Sequence, residues 1–309
     1  MSSVHVSVQG FPTDRASWLA LAREVEVAGF DGLYVADHPG TVAAPFVALA
    51  AAAAVTDRIR LGTCVANAGM WEPVALANEI ATLDLVSAGR AVLGVGAGHT
   101  PAEWTSTGRP FPSPGERVDR MIELVEATQA LLAGATVSSK GSHFTLADAA
   151  LANPRPVQDR VPLLIGGNGA RVLRYGAQHA ERVGIAGLVR TLADGHRHEV
   201  DWSESALART LAIVISSADA VDRSPRIEVL VQHIEITDDA EAAAARLVRH
   251  VPGASADDLI NSPFVWIGTI GQINERLCAH QHNWGIEHYM IRERTISEVS
   301  RILATTTPG

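Results

Sequence analysis

One lysine, two cysteines and a shortage of basic charge set the first limits on this chain of 309 residues. Lys140 is the only lysine, and 25 Lys and Arg face 34 Asp and Glu, for a formal net charge of −9. With no cationic surplus to displace counterions, sequence-independent nucleic-acid binding is not expected. Cys64 and Cys278 are too few for a disulfide framework and have no metal-ligand spacing. This usage suits a reducing compartment, so a cytoplasmic location is expected. Long apolar runs are missing as well. The longest, residues 43–55, is too short and too rich in alanine to span a bilayer, and no membrane partner is expected. The opening MSSVHVSVQGF has no basic segment followed by an apolar one, so no secretory leader is expected.

What is present is a regular alternation. Residues 59–65 form an apolar run rich in β-branched side chains, 72–86 repeat apolar residues at helical spacing with Pro73 in the first turn, and 91–95 are apolar again. This reads as a βαβ unit with parallel strands, covered on both faces. Further strands are expected at 4–9, 31–36, 161–165, 183–188, 226–236 and 288–292. Helices are expected at 15–28, 45–56, 116–132, 170–179, 202–216, 238–250, 272–284 and 296–303. Residues 134–156 break the rhythm and read as an inserted hairpin or loop, and 190–200 as a polar lid. Eight strands alternating with helices match an α/β fold of the (β/α)8 TIM-barrel type, with inserted loops at the C-terminal mouth. An open doubly wound sheet is the alternative. No boundary divides the chain, so residues 1–309 read as one domain.

In parallel α/β folds the ligand site lies at the carboxyl ends of the strands. Asp37 and His38 end the second strand, and a histidine there can exchange protons near neutral pH. The plainer reading has Asp37 capping the loop and His38 satisfying a backbone group. Cys64, Val65 and Asn67 end the third strand, and Cys64 is either part of the site or a small buried hydrophobe. It has no base paired with it in sequence and is not read as a nucleophile. Gly96, Gly98 and His99 end the fourth strand, where the two glycines remove side chains beside a close-approaching group. Gly166, Gly167, Asn168 and Gly169 precede a helix, whose N-terminal amides make an anion site, or the four residues form only a tight turn. Trp71 and Trp104 either wall a substrate pocket or pack beneath loops. Arg117 and Arg120 open a helix; one of them could meet an anionic group of a ligand, and the plainer reading makes both ordinary exposed arginines. Asp194, His196 and His198 fall in the expected lid, His280 and His282 on a helix surface, and no metal site is expected.

Several of these segments together resemble a known family: AREVEVAGFDGLYVADH, IRLGTCVAN, ATLDLVSAGRAVLGVGAGH, GERVDRMIE, PRPVQDRVPLLIGGNGARVLRYGAQHAE and VLVQHIEIT. They are similar to the bacterial luciferase-like superfamily, and more closely to its coenzyme F420-dependent oxidoreductase branch. The resemblance implies a TIM barrel, commonly dimeric, with the cofactor at its C-terminal mouth. It places an acid/base residue and a cofactor contact at Asp37 and His38. It also implies a non-prolyl cis peptide at Cys64–Val65, against one face of the cofactor ring, with Asn67 at the ring's polar edge. The cofactor phosphate would lie on Gly166–Gly169. His99 stands where some relatives carry a glutamate that handles protons, and Glu103 is a weaker substitute for it. The implied reaction moves a hydride between the deazaflavin C5 and a small organic molecule such as an enone, imine, carbonyl or alcohol. The alternatives are an FMN-dependent monooxygenase using reduced flavin and O2, and a non-catalytic cofactor-binding barrel.

Overall fold

The computed structural model describes residues 4–191, 198–251 and 254–304. Chain contacts cluster into two compact units, Gln9–Gly166 and Met1–Val8 with Gly167–Gly309. Strand pairing follows the order β3-β2-β1-β15-β12-β9-β8-β5, and a further β3–β5 pairing joins the two ends, which is the ring of a (β/α)8 barrel.

The chain opens with β1 (His5–Gly10), and the unit Gln9–Gly166, the first unit, then carries α1 (Arg15–Val27), β2 (Gly32–Val35), α2 (Pro45–Ala53), β3 (Arg60–Thr63), β4 (Ala66–Asn67), α3 (Pro73–Val86) and β5 (Ala91–Gly96). It continues with α4 (Pro101–Ser106), α5 (Pro114–Leu132), β6 (Val137–Lys140), β7 (Thr145–Ala149) and β8 (Leu163–Gly166). Local chemistry sets most starts. Asp14 accepts from the Ala16 and Ser17 amides at the head of α1, Pro45 and Pro73 occupy first turns, and Ser113 and Glu116 form a capping box on α5. The strands are buried along their length, with Leu33, Tyr34, Leu61, Leu93 and Val95 fully enclosed. That is why they read as continuous apolar runs rather than alternating ones. The expected insertion at 134–156 contains the antiparallel hairpin β6–β7. It precedes β8, so it enters at that strand's amino end rather than at the mouth.

The second unit carries α6 (Ala170–His179), β9 (Arg182–Ile185), β10 (Leu188–Thr191), β11 (His198–Val200), α7 (Glu204–Asp219), β12 (Arg226–Leu230) and β13 (His233–Ile236). Then follow α8 (Ala240–Val248), α9 (Ala256–Asn261), β14 (Val265–Gly268), α10 (Ile270–Trp284), β15 (Ile286–Arg292) and α11 (Ile296–Leu303). Three expectations need correction here. The sixth strand stops at Ile185, and the segment beyond it forms a separate antiparallel pair, β10–β11. The long seventh strand is two strands, because the amides of Val231 and Gln232 switch partners, one donating to Met290 and the next to Phe264. β13 then pairs in parallel with β14, a strand that lies between the helices expected at 238–250 and 272–284. Alternation alone does not reveal a change of partner, since both halves keep the same period.

Candidate active site

Three loops of the first unit meet in one network of side chains. Asp37 and His38 follow β2, and the amides of Thr41 and Val42 both donate to the His38 carbonyl, which curls the loop. Asp37 is 4% exposed. Its Oδ2 accepts from the Asn67 backbone N–H at 3.0 Å and from Trp71 Nε1 at 2.7 Å. Burial pushes its carboxyl above the usual range despite these two bonds.

His38 Nδ1–H donates to Glu103 Oε1 at 2.7 Å. Glu103 is itself 5% exposed. This bond raises the imidazole pKa above its ordinary value, outweighing the opposing effect of burial. With Nδ1 engaged, Nε2 is the nitrogen left to exchange a proton. The second Glu103 oxygen accepts a short bond from Asn67 Nδ2, while Asn67 Oδ1 accepts from the Gly69 N–H at 2.9 Å. The His99 ring meets His38 edge-on, with centroids 5.6 Å apart.

The Cys64–Val65 peptide is cis. The chain rejoins the sheet at Ala66 and Asn67, opposite Val95 and Gly96. The Cys64 carbonyl accepts from Gln9 Nε2 at 2.8 Å. The Val65 side chain sits between two glycines, since a Cβ on Gly96 or Gly166 would come within 2.6 and 2.9 Å of its methyl groups. Gly98 has φ +75°, and a Cβ there would collide with Asn67 Oδ1. These glycines therefore make room for residues of the chain itself. A cavity of about 410 Å³ opens beside Asp37 and Trp71.

In the second unit, the Gly167 amide donates to Gly184 and Asn168 Oδ1 accepts from the Ala186 amide at 3.1 Å. Gly169 is the N-cap of α6, without a side-chain cap and with nothing within 4 Å of a Cβ built on it. First-turn amides beside an open glycine suit an anion. Asn168 acts as a tie between backbone segments.

The structure thus brings together Asp37, His38, Asn67, Trp71, Gly98 and His99, and puts Val65, Gly96 and Gly166 in mutual contact. Other features add to the sequence reading or differ from it. Asn67 spends its amide on Glu103 and Gly69. Glu103, given little weight, is the hub of the network. Thr100-Pro101-Ala102-Glu103 has the spacing of a capping box, and that local pattern hides it. In the fold no side chain caps α4, and the Glu103 carboxylate turns to His38 and Asn67 instead. Arg120 is buried rather than exposed, donating to the carbonyls of Ala68 and Trp71 and to Glu72, with its guanidinium over the Phe144 ring. Arg117 donates to the Pro112 carbonyl and covers Phe111. Trp104 is buried under Arg109 and against Gly69, which favours packing over a place in the pocket wall. His280, expected on a helix surface, is buried; its Nε2–H donates to the Asn261 carbonyl, its Nδ1 accepts from the Tyr289 hydroxyl, and burial pushes its pKa down to about 4. Asp194 and His196 lie outside the described residues, and His198 belongs to β11. Among the described residues no three His, Cys, Asp or Glu side chains gather as metal ligands, and no helix there is long and apolar enough to cross a membrane.

The model of the luciferase-like monooxygenase family matches residues 3–288. An F420-dependent glucose-6-phosphate dehydrogenase of Beutenbergia cavernae is 34% identical over 209 residues, 65% of this chain and 59% of that protein. The chain therefore spans less than two thirds of the length of this curated relative. Two solved structures share the fold. An F420-dependent secondary alcohol dehydrogenase in complex with an F420-acetone adduct aligns with TM-score 0.77 and 18% identity, over 99% of this chain and all of that one. The monooxygenase RslO1 from Streptomyces bottropensis aligns with TM-score 0.74 and 20% identity, over 97% of this chain and 96% of that one.

Proposed function

Within the luciferase-like monooxygenase family, to which this chain belongs, we propose that it is an F420-dependent oxidoreductase acting on a small organic molecule. The observation that carries this reading is the His38–Glu103–Asn67 network at the carboxyl ends of the strands. When bound, coenzyme F420 supplies or takes up a hydride at C5. The chain supplies positioning and the proton. Glu103 fixes the His38 ring through Nδ1, and the raised basicity keeps a proton available at Nε2 near neutral pH. Cys64, Val65, Asn67, Gly96, Gly98 and His99, with Asp37, form the proposed ring contact. Gly166, Gly167, Asn168 and Gly169 form the proposed phosphate contact, supported by the open N-terminus of α6. Trp71 lines the proposed pocket.

Titrating the purified protein with F420 and with FMN, following cofactor fluorescence, tests the reading. Saturable F420 binding in the micromolar range or tighter is expected. FMN binding with none for F420 overturns it in favour of a flavin monooxygenase.

We read residues 1–309 as one domain of a cytoplasmic homodimer. The family match running through both compact units supports the first point. Membership of a family in which the resemblance implies dimers supports self-association. Light scattering is expected to give twice 32.7 kDa, and the mass of one chain overturns the dimer.

A further inference from the structure

We propose that the cavity beside Asp37 takes an apolar small molecule, neutral or cationic, that carries an N–H or O–H donor, and that it rejects anions, sugar phosphates included. That this molecule is the enzyme's substrate rests on the oxidoreductase reading above. The cavity measures about 410 Å³ and is walled by Val42, Phe46, Val47, Met70 and Trp71. An apolar cavity of about 150 Å³ accepts benzene, so this one has room for two linked or fused rings.

Charge narrows the ligand further. Among the described residues, the ionisable groups lining the cavity are Asp37 and Glu79, both acidic, with no arginine, lysine or histidine in its walls. The bonds from the Asn67 amide and from Trp71 Nε1 to the Asp37 carboxylate both reach Oδ2. Oδ1 is the oxygen left to a donor on the ligand. A phosphate or carboxylate entering here would lose its hydration and meet like charge, with none of the cationic forks that such groups require. An alcohol or amine placed on the same oxygen satisfies it. Phe46 and Trp71 meet edge-on at 5.3 Å between centroids, which gives the wall an aromatic corner suited to a ring.

Three one-ring probes of similar size separate the possibilities: benzyl alcohol, benzylamine and benzoate. Each is titrated into the cofactor-free full chain, read by tryptophan fluorescence and independently by calorimetry. Benzyl alcohol and benzylamine are expected to bind at least tenfold more tightly than benzoate, with a fluorescence change that is absent from Trp71→Phe. Val47 is 72% exposed at the cavity. Val47→Arg adds the missing cation there and is expected to narrow the preference over benzoate by about tenfold. Benzoate within threefold of benzyl alcohol in the unaltered protein overturns the proposal. So does a fluorescence change that Trp71→Phe retains in full. These titrations contain no F420. Probe binding in the expected order without F420 binding therefore leaves the cavity's preference standing and removes the oxidoreductase reading, while F420 binding without the preference does the reverse.

Discussion

Glu103→Gln is expected to lower turnover roughly ten- to hundredfold with little change in F420 affinity, and to move the alkaline fall in activity to lower pH. Two donors share this one carboxylate. The Glu103 carboxylate accepts from His38 Nδ1 on one oxygen and from Asn67 Nδ2 on the other. A glutamine has one oxygen, so one of those two donors would face an NH2 group. Asn67 cannot turn over to relieve this without losing the bond from the Gly69 amide to its Oδ1. Either His38 loses its Nδ1 acceptor, or its tautomer reverses and Nε2 carries the proton permanently. The first cause of the raised His38 pKa is the Glu103 bond, so without it the imidazole titrates lower. Activity that needs protonated His38 then falls away earlier as pH rises. The imidazole titration followed by NMR checks this without any assay. An unchanged His38 titration in Glu103→Gln would remove Glu103 from its positioning role.

The same pair links folding to pH. His38 has a folded pKa above its unfolded value of about 6.5, so its contribution to stability is complete below that pH. It is lost as pH rises through the folded value.

Much of this architecture is legible in the sequence because it depends on local chemistry. Prolines at helix starts, Asp14 and Ser113 as caps, and uninterrupted apolar strands mark the alternating elements without reference to tertiary contacts. The site is legible in part. Asp37, His38 and the glycines stand at strand ends, where position alone singles them out. What they touch is not legible. Glu103 lies 65 residues from its partner His38, and its own neighbourhood spells a helix cap. Gly96, Gly98 and Gly166 signal a close approach, but the approaching atoms belong to Val65 and Asn67. A glycine records that space is needed and says nothing about what fills it. His280 and Arg120 fail for a related reason: each is polar on an amphipathic helix, and burial of such a residue depends on a partner supplied from a remote segment.

The segment that carries the family resemblance most strongly, ATLDLVSAGRAVLGVGAGH, is for much of its length a structural lock, and Asp84 within it is the residue whose loss is expected to cost most. Asp84 is fully buried on α3. Its Oδ2 accepts from the backbone amides of Val157 and Gln158 at 2.7 and 3.0 Å, and its Oδ1 from Gln158 Nε2 at 2.6 Å and the Ala91 amide at 3.3 Å. One carboxylate thus binds the start of β5 to the segment that leads into β8. Asp84→Ala leaves buried backbone donors with no acceptor and is expected to destabilise the protein by about 3–5 kcal/mol. That is a large share of the 5–15 kcal/mol typical of a folded protein. Asp84→Asn keeps one acceptor oxygen but turns an NH2 toward the donors of the other, and is expected to cost about half as much. Denaturant unfolding, followed by far-UV circular dichroism, measures both. Because β8 ends at Gly166 against Val65, the Asp84→Asn protein that still folds is expected to bind F420 more weakly while keeping the His38 titration, which depends on Glu103. A loss below 1 kcal/mol in Asp84→Ala would mean that water or a neighbouring side chain replaces the carboxylate, and the lock would have to be assigned to Arg60, whose guanidinium bonds both the Gly89 carbonyl and Gln158 Oε1.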